Sequence, residues 1–394
     1  MNKKTHQDSA LGFLNNPQHR AIIYQIMALL LVFFLAYYFT NNMFDNVEKR
    51  GINTGFSFLD NVAGFGISQT LIAYSDSTST YYDVFIVGIL NTLLVAVIGI
   101  ILASVLGLLI GIGRLSKNYL ISRLSLVYIE LFRNIPILLQ ILFWYNVVLA
   151  ALPSPRQSFN YWDAIFLNNR GLLLPEPLFE AGSSAILIAF ILAIISVFFL
   201  SKWAKKRHIL TGEEFPLIKV SLAILVISPV LVYFMSGQPI GAEYPVLKGF
   251  NFKGGLAIIP ELLALVFALS IYTATYIAEA VRAGIESVPS GQKEAAKSLG
   301  LKEHVILSKV VLPQALRVII PPVINQYLNL VKNSSLATAI GYPEIVTLFS
   351  GTTLNQVGQA IEIILMTMAV YLTFSLVISM VLNWVNSKME IKGR

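Results

Sequence analysis

Asn325, Asn329 and Lys332 stand at i, i+4 and i+7 in an otherwise apolar stretch, which puts two amides and an ammonium on one helix face, with the hydroxyls of Ser334 and Ser335 just beyond. Amides, hydroxyls and a single cation can hold a polar solute by hydrogen bonding and charge. The same groups can equally bond one helix to another, worth about 0.6–2 kcal/mol per contact, and spacing alone leaves both open. An ionisable group inside a bilayer costs about 2.5–3.5 kcal/mol at mid-helix, so each needs a partner or a wet cavity. Glu130 and Arg133 lie three residues apart, as do Glu279 and Arg282, near enough to pair on one helix face. Both pairs read as packing or gating scaffolds. Glu261 either faces the same cavity as Asn325 or helps close its outer end, and Tyr272, Thr273 and Tyr276 either line a passage or pack. His6, His19, His208 and His304 have no metal-binding spacing, cysteine is absent, and no G-x-S-x-G elbow occurs. Enzymatic chemistry and a metal site have no support here.

The elements that must position these residues are membrane helices. Of 394 residues 56% are apolar and 12% charged, with mean hydropathy +0.71, about half the charge of an ordinary soluble domain. A helix needs about 20 apolar residues to cross a bilayer core. Eight stretches qualify: 21–42, 84–113, 134–155, 181–201, 220–242, 255–283, 318–344 and 358–387. The first lacks a small-residue cleavage site and outruns a signal core of about 7–15 residues, so it reads as a retained helix. With both termini cytoplasmic, the inside segments hold 20 of the 28 lysines and arginines, among them Lys3, Lys4, Lys205, Lys297, Lys388, Lys392 and Arg394. The net charge of +7 is thus spent at a membrane surface, without nucleic acid. Spans two, three, six, seven and eight carry embedded polar residues; one, four and five are plain. This divides the chain into 1–83 (terminus, first helix and outside segment), 84–152 (core), 153–254 (an inserted proline-rich loop with spans four and five) and 255–394 (core).

One segment is polar enough for a soluble protein: KEAAKSLGLKEHVILSKVVLPQA, from Lys293 to Ala315. Pro289, Ser290 and Gly291 make a turn, Ser290 is placed to cap a helix over 291–299, and Gly300 to end it. Ala295, Ala296 and Leu299 are expected on one side of it. A second helix over 302–311 should stop near Pro313, and Pro321-Pro322 should break or kink span seven. The result is a cytoplasmic helical elbow between spans six and seven, at 285–315.

The spacing of Glu294-Ala295-Ala296, Gly300, Val310 and Leu312-Pro313 has odds on the order of one in ten million per starting point at background composition. It resembles the EAA loop of the permease subunits of ABC importers, with Val310 where the family usually has Ile. Tyr272–Ala296, Leu312–Glu344, YIELFRNIPILLQ (Tyr128–Gln140) and GILNTL (Gly88–Leu93) are similar to polar-amino-acid permeases of the histidine and glutamine type. The extra first helix and the insertion are similar to the larger permease of general L-amino-acid importers. The resemblance implies an all-α fold with eight transmembrane helices of the type I importer kind, in the bacterial inner membrane. It implies amino-acid import by alternating access with a second permease in a heterodimer, a cytoplasmic ATPase dimer holding ATP and Mg, and a periplasmic binding protein that delivers the L-amino acid. Gly291, Glu294, Ala295, Ala296, Ser298, Leu299, Gly300, Leu312 and Pro313 are then the surface that couples to the ATPase. Asn325, Asn329, Lys332, Ser334, Ser335, Glu261 and Tyr276 are then candidates for the substrate pathway. No G-x-x-x-x-G-K-[ST] loop occurs, so the motor is expected on another polypeptide. The rival expectation is an ion-coupled secondary transporter, which has no use for an EAA loop.

Overall fold

The computed structural model describes residues 17–49, 51, 54–213 and 215–389. His6 and the terminal cations Lys3, Lys4, Lys392 and Arg394 lie outside them. Among the described residues seven helices are long and apolar enough to cross a membrane, or eight if one bent pair counts as a span. α1 (Pro17–Lys49) buries none of its residues, whereas α2 (Tyr81–Arg114) runs against the middle of the fold. Thr80 and Asp83 start α2 with a capping box, each side chain bonding the other's backbone N–H.

The third expected span, 134–155, carries past Asn134 a single helix over 137–149, which joins the one before it at a sharp bend. α3 (Tyr119–Asn134) and α4 (Ile137–Phe143, prolonged by a π-helical turn Trp144–Leu149) meet at a bend of 101°. Pro136 sets it, because the residue before a proline is driven out of helical conformation, and Ile135 sits at φ −94°, ψ 127°. The amide of Gln140 closes the gap, donating to the carbonyls of Phe132 (2.8 Å) and Ile135 (2.9 Å).

The segments on either side of the inserted helices, read from the sequence as a proline-rich loop, contain short antiparallel strands. β1 (Phe159–Tyr161), β2 (Ile165–Asn168) and β3 (Gly171–Leu174) continue into β4 (Glu176–Phe179). β5 (Ile240–Glu243), β6 (Val246–Lys248), β7 (Asn251–Lys253) and β8 (Leu256–Ile258) follow the inserted helices. They form a sheet of order β1-β2-β3-β8, a two-stranded antiparallel pair β4-β5 that brackets the inserted helices, and a hairpin β6-β7, so the helical fold carries a small β addition. Between them α5 (Ser183–Thr211) and α6 (Leu217–Met235) pack chiefly on each other and leave most of their apolar surface exposed.

α7 (Pro260–Glu286) is the buried mast, packed against α2 and against α10 (Leu312–Asn333). α8 (Ser290–Ser298) and α9 (Glu303–Ile306, with a π turn Leu307–Val311) form the elbow between them. A 3-10 segment Ser334–Ile340, a π turn Val346–Thr353, the one-turn α11 (Leu354–Val357) and α12 (Ala360–Met389) complete the chain. Three prolines of α10 end no helix. Pro313 lies in the first turn of α10, directly after the π turn Leu307–Val311, and the helix runs on through it instead of ending. Pro321 and Pro322 lie inside α10, which stays continuous around them; membrane helices tolerate this where neighbours satisfy the freed carbonyls.

Close approach of α2 to α7 rests on small residues. A Cβ on Gly107 would lie 2.6 Å from Ile277 Cβ and 3.0 Å from the Ala274 carbonyl, and one on Gly111 2.8 Å from the Ala278 carbonyl. Gly107→Ala is therefore expected to destabilise the purified protein by about 1–3 kcal/mol, the usual cost of overpacking, despite alanine's better helix propensity. Thermal unfolding in detergent measures it; an unchanged midpoint would refute this packing.

Candidate functional site

The elbow is built as a knob fixed on one side and free on the other. α8 begins after Pro289, and Ser290 occupies its first position without making a side-chain cap. Its end is a Schellman closure: Gly300 N–H donates to the Lys297 carbonyl (2.9 Å) and Leu301 N–H to the Ala296 carbonyl (3.3 Å). That closure needs a left-handed residue, and Gly300 has φ +73°. Ala296, expected beside Ala295 and Leu299, instead turns inward. It packs in one apolar cluster with Val288, Ile306, Val311 and Ala315, at the feet of α7 and α10. Gly291, Glu294, Ala295, Ser298 and Leu299 stay exposed, Leu299 at 79%. An unshielded leucine beside small residues and one carboxylate is a surface suited to a socket.

Polar ties hold the knob at both ends. Lys297 pairs with Glu303 at 2.9 Å, and that hydrogen bond holds the ammonium above its ordinary range. Gln314 of α10 donates to the Gln292 side chain and to the Val310 carbonyl (2.8 Å). A push on α8 thus reaches the base of α10 through packed and bonded groups.

Both expected ion pairs form. Arg133 meets Glu130 at 3.3 Å, half exposed. Arg282 bonds Glu279 through Nε (3.2 and 3.1 Å) and also reaches Glu286. Glu279 lies within electrostatic range of Arg133 and Arg114, so the two pairs belong to one charged cluster where α3 approaches α7. Tyr128 O–H, donating to the Ile271 carbonyl at 2.9 Å, ties the same two helices.

The pathway candidates divide. Asn325, Asn329 and Lys332 form one exposed face of α10, as their spacing predicts. Ser334 is turned inward, donating to the Val331 carbonyl (2.7 Å) and lying 3.4 Å from the Tyr371 hydroxyl. Ser335 donates to the Lys332 carbonyl at 2.7 Å. Glu261 is not brought to that face: it sits in the first turn of α7 and accepts from Tyr145 O–H at 2.8 Å, fastening the π turn after α4. Tyr276 meets Tyr272, hydroxyls 3.0 Å apart and rings edge to face, a half-buried packing pair.

Two polar centres escaped the sequence reading. Glu344, wholly buried, accepts from the N–H groups of Val346 (2.9 Å) and Thr347 (2.8 Å) and from the hydroxyls of Thr347 (3.1 Å) and Tyr371 (2.9 Å). Asn91, in the GILNTL stretch, donates to the carbonyls of Gln69 (3.0 Å) and Pro343 (2.8 Å), while Thr92 accepts from Ile345 N–H at 3.2 Å. Together they clamp the break that follows α10. The only signal in the sequence was polarity within an apolar span.

Residues 216–391 match the family model of binding-protein-dependent transport system inner membrane components. The chain is 51% identical over 379 residues to the ABC transporter permease protein YhdX of Escherichia coli K12, covering 96% of each chain. It is 48% identical to the general L-amino acid transport system permease protein AapQ of Rhizobium johnstonii, over 96% of this chain and 94% of that one. It is 39% identical to the glutamate/glutamine/aspartate/asparagine transport system permease protein BztB of Rhodobacter capsulatus, over 96% of each. Aligned with these relatives over nearly its whole length, and carrying an exposed elbow between its buried mast and its polar-faced helix, the chain belongs to the family of amino-acid ABC importer permeases.

Proposed function

We propose that this chain passes L-amino acids from a periplasmic binding protein to the cytoplasm, beside a second permease and above a cytoplasmic ATPase dimer. ATP and Mg act on that dimer, and this chain contributes no nucleotide chemistry. It sits in the inner membrane with both termini cytoplasmic, a reading supported by the distribution of its lysines and arginines. The observation that carries the proposal is the knob Ser290–Ser298, locked through Ala296 to the feet of α7 and α10 and exposed on its other face.

Closure of the ATPase dimer displaces the knob. The displacement tilts α10, whose face of Asn325, Asn329 and Lys332 lines the passage for a zwitterion: amides to either charged end, the ammonium to the carboxylate. Coupling is the difference in the ATPase's affinity for the two permease states. Proteoliposomes holding this chain alone are expected to accumulate no amino acid. Adding the second permease, the ATPase and the binding protein should restore uptake that needs ATP inside and survives a protonophore. Uphill uptake by the chain alone would overturn the proposal.

A further inference from the structure

The hairpin of α5 and α6 takes no part in the knob or in the polar face of α10, and it packs chiefly on itself. Its linking end is strongly basic. Lys202, Lys205, Lys206 and Arg207 close α5, and Lys219 opens α6. Arg207 is neutralised by Glu213 at 2.7 Å; Glu214 lies outside the described residues. Lys202 rests 4.4 Å over the Phe198 ring, and Trp203 packs edge to face on Phe215, which braces the turn with aromatic rings of the kind found at headgroup level.

Two hollows open at this end. One, of about 440 Å³, is lined by Ser201, Ala204, Lys205, His208, Phe215 and Leu217. The other, of about 430 Å³, is a shallow, open groove along one face of α6 alone, with Lys219 at its end and Val220, Ala223, Ile224, Ile227 and Leu231 along its apolar floor. Lys219 to Leu231 spans ~18 Å of helix at 1.5 Å per residue. That is about one leaflet of a hydrocarbon core ~30 Å thick. Cations at one end and an apolar trough one leaflet long are the two ends of one kind of molecule.

We propose that the α5–α6 hairpin holds an anionic phospholipid, with its phosphate at Lys205 and Lys219 and an acyl chain in the groove beside Ala223. Charge complementarity selects an acidic headgroup over a zwitterionic one, at roughly a fivefold preference per lysine near the surface. The inserted hairpin is thereby a lipid anchor for the importer.

The test takes the full-length chain from nanodiscs of phosphatidylcholine with a minor fraction of phosphatidylglycerol and reads retained lipid by native mass spectrometry. The wild-type chain should retain phosphatidylglycerol in preference to phosphatidylcholine. Lys205→Gln/Lys219→Gln should lower that preference about tenfold or more. Ala223→Trp, which fills the groove and leaves every charge in place, should also release the lipid. Equal retention of both lipids overturns the proposal, as does an Ala223→Trp variant that binds like wild type, since the charges alone would then be responsible. Displacement of the lipid by millimolar inorganic phosphate would reassign the cations to a free anion. A second copy of the chain seated on the hairpin in place of lipid would overturn it as well.

Discussion

Glu294→Lys is expected to bring ATP-driven uptake and binding-protein-stimulated ATP hydrolysis to background while the chain remains folded in the membrane. The side chain lies on the exposed face of α8 and makes no bond that holds the fold; only its carbonyl is used, by Ser298 Oγ at 3.1 Å. On the proposed function, charge reversal on a face that already carries Lys293 and Lys297 would set like charges against the docked ATPase. Such juxtaposition costs several kcal/mol, enough for a loss of about a hundredfold or more in coupled turnover.

Gly300→Pro acts on the same site by a different route. Proline cannot reach φ +73° and removes the N–H that closes the helix on Lys297, so α8 loses its fixed end. Gly300→Ala keeps the N–H, and a Cβ there meets open space; it should show only the left-handed penalty of about 1–2 kcal/mol and partial activity. The readouts are uptake and stimulated ATPase in proteoliposomes, beside the melting midpoint in detergent. Uptake at the wild-type rate by Glu294→Lys, with an unchanged midpoint, would remove the coupling role from α8.

Glu344→Ala should cost about 3–5 kcal/mol, a second large effect but one read in stability. Removing the carboxylate takes the shared acceptor from two N–H groups at the head of the Val346–Thr353 turn and from the hydroxyls of Thr338, Thr347 and Tyr371, where each unmet buried donor costs about 1–3 kcal/mol. Partial relaxation keeps the sum below the simple total. Glu344→Gln retains one acceptor and should fall about midway. Tyr371→Phe, which removes one donor, should cost about 1 kcal/mol and couple strongly to Glu344 in a double-mutant cycle. Chemical or thermal unfolding measures all three; a Glu344→Ala chain as stable as the wild type would show that the clamp holds nothing.

The elbow was legible because its determinants are local. A turn at Pro289, small residues at helical spacing and a glycine at the closing position specify a short helix from neighbours alone, and its charge placed it outside the lipid. What the prolines do was less legible, for the complementary reason. Proline's rule concerns the N–H it lacks and the carbonyl it crowds, and whether that ends a helix depends on what else satisfies the backbone there. At Pro136 the chain turns by 101° and Gln140 takes up two carbonyls; at Pro313, Pro321 and Pro322 it runs on. Glu261 and Glu344 make the same point: a carboxylate in an apolar span announces a partner without naming it.

By itself the sequence determined which stretches enter the bilayer, which helices are plain, where the soluble knob stands and which face of α10 is polar. Those are properties of composition and of the 3.6-residue period, set within a few turns of chain. Tertiary structure alone decided that Ala296 locks the knob to α7 and α10, that the Glu130 and Glu279 pairs share one cluster, and that Glu344 and Asn91 clamp the break after α10. Contacts such as that of Asn91 with Pro343, 252 positions away along the chain, depend on where whole helices come to rest, and no local pattern encodes that.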